Sequence, residues 1–147
     1  MLNDVVAFEA SHQEYAMSGQ TALRQHAINW FEIPCEDFER ATAFYETLLG
    51  APMQRETLEG AADVPVAFFP TERSGTGGTL VKRSFLKPAR GGTMVYLNCD
   101  GDLDAVLGRV SKAGGLVLMP KTPVPGGHGH FACLRDSEGN HIGLHSH

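Results

Sequence analysis

Regular alternation of apolar and polar positions begins near Ala27. Over residues 28–35 one face carries Phe31, Ile33 and Cys35 and the other Trp30, Glu32 and Pro34, which is the period of a strand. The period then lengthens. Phe38, Ala41, Phe44, Tyr45, Leu48 and Leu49 recur on one helical face. Asp37 is placed to cap that helix, Glu39 adds negative charge where the dipole is positive, and Gly50 is placed to end it. Three further strands are predicted over residues 52–58, 64–69 and 79–84, separated by loops rich in Gly, Ala and Ser.

The same order is then written a second time. A strand over 94–99 leads to Asp102, placed as a cap, and to a helical stripe of Leu103, Val106, Leu107 and Val110 that stops at Gly114-Gly115. Strands follow over 116–119, 130–135 and 141–146, separated by the Pro/Gly segment 120–127 and by the turn Asp136-Ser137-Glu138-Gly139-Asn140. Asp37 matches Asp102, Glu39 matches Asp104, Ala41 matches Val106 and Gly50 matches Gly115, each pair 65 positions apart. The fold class expected is α+β: two βαβββ modules, about 27–86 and 92–147, forming a curved, partly open mixed sheet with one helix per module. Residues 1–26 read as an N-terminal extension outside this 27–147 domain. A short helix over 5–16 is one reading of it, a disordered tail or an arm packing across a dimer the others.

Composition narrows the function without naming it. A chain of 147 residues with 42% hydrophobic and 20% charged positions is an ordinary globular domain. A net charge of −5 with scattered Lys and Arg argues against nucleic acid as a partner. No apolar run approaches the roughly 20 residues of a membrane helix, and acidic Asp4 and Glu9 stand where a secretory leader wants positive charge. Cys35, Cys99 and Cys133 are an odd set without C-x-x-C spacing, so buried free thiols and a cytoplasmic location are expected. The segments Ser74-Gly75-Thr76-Gly77-Gly78 and Gly126-Gly127-His128-Gly129-His130 are glycine-rich but open no helix, so neither reads as a phosphate cradle.

With Phe38-Glu39-Arg40-Ala41-Thr42-Ala43-Phe44-Tyr45 and Leu48-Leu49-Gly50 in one half, the chain resembles the vicinal oxygen chelate superfamily of glyoxalases, bleomycin-resistance proteins and extradiol dioxygenases. The second half carries the resemblance through Asp102-Leu103-Asp104-Ala105-Val106, Ala113-Gly114-Gly115 and Asp136 to Leu144. It covers residue 28 onward. The resemblance implies a cleft between the modules in which enzymes hold a divalent metal with ligands from the inner and last strands of each half. Such a metal needs imidazole nitrogen or carboxylate oxygen at about 2.0–2.2 Å and an open position for substrate. Carried onto this chain, the implied positions fall on Trp30 (or neighbouring Asn29), Met94, Gly143 and, 65 residues before it, Gly78. Trp and Gly offer no ligand, and a Met thioether suits soft Cu(I). The usual metal is therefore not expected, and no cofactor is assigned.

The residues themselves offer other chemistry. Trp30 and Glu32 share a strand face, as do Met94, Tyr96 and Asn98, and together they would line a pocket mixing apolar surface with a few polar groups. His141 and Gly143, on a face of the last strand shared with His145, complete the candidate ligand-binding set. Glu32 on a partly apolar wall is a candidate general base, with His145 its acid partner; the alternative is an ion pair of Glu32 with Arg135 or Lys82. Four of seven histidines crowd residues 128–145, so a displaced divalent-metal site from His130, His141 and His145 stands as the alternative to no metal. The expected function is binding of a small organic molecule by a homodimer, as in the glyoxalase/bleomycin-resistance-like branch. A lyase, isomerase or dioxygenase using the displaced histidines or the Glu32/His145 pair is the alternative.

Overall fold

The computed structural model describes residues 23–60 and 63–147. The proposed helix over 5–16 lies outside the described residues. The first module runs β1 (Trp30–Pro34), α1 (Phe38–Leu49), β2 (Gln54–Leu58), β3 (Val64–Phe68) and β4 (Gly77–Val81). The second runs β5 (Tyr96–Asn98), α2 (Leu103–Ala113), β6 (Leu116–Pro123), β7 (His130–Arg135) and β8 (His141–Ser146). Each module is thus βαβββ, an α+β arrangement, and each makes its own four-stranded mixed sheet. The strand orders are β1-β4-β3-β2 and β5-β8-β7-β6, with one parallel pair in each (β1/β4 and β5/β8). The strand expected over 116–119 extends to Pro123, with two register irregularities against β7.

Each helix covers one face of its sheet. Ala41, Phe44, Tyr45 and Leu48 of α1 bury against Ile33, Ala67 and Leu80. Leu103, Val106 and Val110 of α2 meet Leu97, Ala132, Leu134, Ile142 and Leu144 in the same cluster. Side chains of this size gain roughly 1.5–3 kcal/mol each on full burial, which fixes which strand face turns inward. The two helices also pack on one another, and Arg109 Nε donates to the Leu48 carbonyl (2.8 Å). Asp37 caps α1 by accepting from the Arg40 N–H (2.9 Å), and Gly50 ends it in the left-handed region. Asp102 occupies the equivalent position of α2 but makes no capping bond; its carboxylate turns to Arg109 (3.4 Å).

The repeat of 65 does not hold in the strands. Ile33 pairs with Leu80 and Leu97 with Leu144, so equivalent strand positions are 64 apart. Gly101, at φ +73°, is the extra residue that sets the helices one position further apart than β1 and β5: two residues separate Cys99 from Asp102 where one separates Cys35 from Asp37. The counterpart of Gly143 is therefore Thr79, not Gly78, and that of Met94 is Trp30. Gly78 belongs to the other face, where the Phe31 ring lies over it and a Cβ would meet ring carbons at 2.5 Å.

Candidate functional site

The sheet faces turned away from the helices form the site. On the first sheet Trp30, Glu32, Thr79 and Phe68 share this face, because cross-strand partners lie on one side. Trp30 stands edge-on to Phe68 with ring centroids 5.9 Å apart and is half-exposed. On the second sheet Tyr96 pairs with Gly143, which pairs in turn with Cys133, and Asn98 pairs with His145, which pairs in turn with Phe131, so these residues share a face. The Tyr96 ring lies against Gly143, where a Cβ would collide with it, so the glycine lets the ring lie flat on the sheet.

Where the modules meet, a cavity of about 390 Å³ opens between β1, the connecting segment 86–95 and the start of β8. Its lining includes Glu32, Pro34, Lys87, Arg90, Met94 and His141. The candidates Glu32, Met94 and His141 thus come together on one cavity. Trp30, Tyr96, Asn98 and Gly143 do not line it; they lie on the open sheet faces, Trp30 two positions from Glu32 and Tyr96 two positions from Met94. His145 lies two positions beyond Gly143 on β8, and its Nε2 is 2.8 Å from the His128 carbonyl.

Glu32 is paired, but with neither Arg135 nor Lys82. Arg83 holds both its oxygens, Nη2 at 2.7 Å from Oε1 and Nε at 3.1 Å from Oε2. Both side chains are about three-quarters covered. A two-pronged guanidinium–carboxylate pair has fixed geometry, so the pair sets a rigid polar wall beside the cavity. His145 and Glu32 do not meet; each bonds elsewhere. Arg83, Lys87 and Arg90 were the residues that sequence reasoning passed over. Their only signal was a run of cations in the segment joining two modules.

The displaced histidine triad is not assembled. His130 pairs across from Ser146 and shares its face with Ala132 and Leu134, the helix side, while His141 and His145 are on the opposite side. His141 and His145 are four residues apart along an extended strand, roughly 13 Å. Nor do the family's metal positions fit a metal. Trp30, Thr79, Met94 and Gly143 supply no imidazole and no carboxylate, and the Thr79 hydroxyl is buried within the sheet. The cysteines offer no ready nucleophile. Burial, aided by the charge of Glu138, pushes the Cys35 thiol up to about 11. Burial, aided by Asp102, does the same for Cys99, to about 11. Burial also raises Cys133.

Comparison with solved structures returns this architecture repeatedly. A glyoxylase/bleomycin resistance protein/dioxygenase domain from Frankia sp. superposes with a TM-score of 0.62 at 16% identity, covering 84% of this chain and 98% of that one. TnmS3, an antibiotic binding protein from Streptomyces sp., gives 0.57 at 22% identity over 85% and 98% of the two chains. The fosfomycin resistance protein FosX from Listeria monocytogenes gives 0.58 at 14% identity over 84% and 95%. At these identities the likeness is one of fold. No curated protein sequence is matched. Among the described residues no helix is long and apolar enough to cross a membrane. The model of the Glyoxalase/Bleomycin resistance protein/Dioxygenase superfamily matches residues 27–144, and the chain belongs to that superfamily.

Proposed function

We propose that the chain is a cytoplasmic homodimer that binds a small organic molecule in the cavity between its modules, without the superfamily's metal centre. The observation that supports this reading is the set Trp30, Thr79, Met94 and Gly143, which holds no imidazole and no carboxylate, with Met94 lining a cavity of about 390 Å³. Pockets of this size hold drug-sized ligands, with apolar walls for affinity and a few polar groups for orientation. Trp30 and Phe68 offer ring surface on the strand face of Glu32, while Arg90 offers positive charge at the cavity; Lys87 is paired with Glu36 (3.3 Å). A molecule with an aromatic or apolar body and an anionic group matches these walls. Sequestration of such a compound is the kind of role that the antibiotic-binding relative's name describes.

Trp30 is the only tryptophan and stands two positions from cavity-lining Glu32 on the same strand face, so its fluorescence is the probe for a molecule bound against that face. The test titrates the protein in EDTA with aromatic carboxylates, phenols and quinones, and with fosfomycin as a small phosphonate. Saturable quenching that persists in EDTA is expected, with Arg90→Ala weakening the anionic members. Binding that vanishes in chelator and returns with added metal would overturn the metal-free reading. Turnover that Glu32→Gln abolishes while ligand affinity is kept would replace sequestration with acid–base catalysis.

A further inference from the structure

We propose that Asp100, His145 and His147 form a binding site for a borderline divalent cation such as Zn²⁺, Ni²⁺ or Co²⁺. It lies at the end of the β5/β8 pair, away from the superfamily's metal positions. The ladder brings these residues together. Asn98 stands opposite His145, and the Cys99 N–H donates to the His145 carbonyl (2.7 Å), carrying the pairing one step past β5. The next step sets Asp100 beside His147, whose N–H donates to Asp100 Oδ1 (2.8 Å). The rings of His145 and His147 lie edge to face, centroids 4.7 Å apart. Each of the three residues presents a ligating atom within 4.8 Å of those of the other two.

Two ligands held at about 2.1 Å from one ion lie about 3–4 Å apart, so closing the triad takes shifts of about 1 Å. Asp100 and His147 are exposed and free to make them. The supporting contacts are those a metal histidine requires. His145 Nε2, donating to the His128 carbonyl, fixes the tautomer and leaves Nδ1 with its lone pair. That carbonyl is held in turn by Gly129, at φ +79°, whose position touches the Ser146 backbone so closely that a Cβ would strike the Ser146 carbonyl oxygen. Two imidazoles and one carboxylate favour transition ions over Mg²⁺ or Ca²⁺. Three protein donors leave positions open to water or to a ligand atom.

The test uses the full, untagged chain, stripped with EDTA and freed of it. Co²⁺ is titrated by its visible absorption and Zn²⁺ by competition with a chromophoric chelator. One ion per chain is expected. Asp100→Asn and His145→Ala should each weaken binding by at least about tenfold, while His130→Ala and His26→Ala leave it unchanged. Affinity should fall on acidification, because the ligating imidazoles must be neutral. Asp100→Asn is isosteric and exposed, so its circular dichroism and melting curve serve as the folding control. No binding by the wild type, or equal losses in His130→Ala and Asp100→Asn, would overturn the assignment.

Discussion

Replacing Glu138 by Gln changes one atom type at a four-donor polar contact between the modules. The Glu138 side chain has no solvent exposure. Its Oε1 accepts from the backbone N–H groups of Glu36 (3.0 Å) and Asp37 (2.7 Å), at the start of α1. Arg40 and Ser137 donate to Oε2 at 2.7 and 2.9 Å. Burial alone would raise this carboxyl's pKa, but the hydrogen bonds from Arg40, Asp37, Ser137 and Glu36 outweigh it and hold the group below the usual carboxylate range. In the amide, the oxygen can still serve the two backbone donors, without charge. Its NH₂ then confronts the Arg40 Nε–H, donor against donor. A bond to a charged acceptor contributes about 1.5–3 kcal/mol and a neutral one about 0.5–1.5. Weakening the two backbone bonds therefore costs about 2 kcal/mol. Arg40 is largely exposed, and its share is left out because solvent screens it. For a domain of this size that is a drop in Tm of roughly 7 °C. Thermal and urea unfolding at pH 7 measure it. Because the folded pKa is depressed, the wild-type advantage is full above the ordinary carboxylate pKa and is lost as pH falls through the folded value. The gap between wild type and Glu138→Gln should accordingly close in acid. A Tm shift under about 1 °C at pH 7, or a gap that widens on acidification, would refute the reasoning.

The three thiols should titrate unequally. At pH 8 in native buffer Cys35 and Cys99, raised to about 11 mainly by burial, should react with a disulfide reagent only through unfolding. Partly exposed Cys133 should react faster, and all three at once in denaturant; fast reaction of every thiol in the native protein would contradict the described core. The homodimer should depend on edge strand β6, where Leu116, Val117, Leu118 and Met119 are 39–48% exposed in succession. Light scattering after size exclusion should give twice the chain mass for the wild type and a monomer for Leu118→Lys. A monomeric wild type at high micromolar concentration would remove the dimer from the proposal.

Elements governed by local chemistry were legible in the sequence. The stripe from Phe38 to Leu49, the Asp37 cap and the Gly50 stop all appear as read, because each depends on neighbours within a few residues. The strands β7 and β8 coincide with their expected bounds for the same reason. Register was less legible. One inserted glycine, Gly101, lengthens the repeat from 64 in the first strands to 65 in the helices, and only the pairing of Ile33 with Leu80 and of Leu97 with Leu144 shows that the strands repeat at 64. The partner of Glu32 was missed by one position, Arg83 for Lys82. Strand alternation fails after β4 ends at Val81, so which side a following side chain takes is a tertiary matter. Asp102 shows the limit of local rules, since a good capping residue in the right place prefers an arginine seven residues on. The cluster joins Asp100 to His145 and His147, 45 and 47 positions on, so no contiguous motif announces it.

The turn from Asp136 to Asn140 completes the first module as much as it closes the second. Its Asp136 receives the buried Tyr45 hydroxyl (2.7 Å), its Asn140 donates to the Pro34 carbonyl (2.8 Å), and its Glu138 clasps the start of α1. Neither repeat is therefore an autonomous folding unit, for each leaves the other's polar groups and apolar helix face unserved. In a duplicated chain this has a historical meaning. A single repeat on its own would have to make the same interlock with a separate copy of itself, at whatever concentration the cell supplied. The segment between Val81 and Tyr96 turned that encounter into an intramolecular one, with an effective concentration on the order of millimolar. Tethered in this way the two halves are free to diverge, and the metal positions of both can lack imidazole and carboxylate while the turn from Asp136 to Asn140 keeps the joint intact.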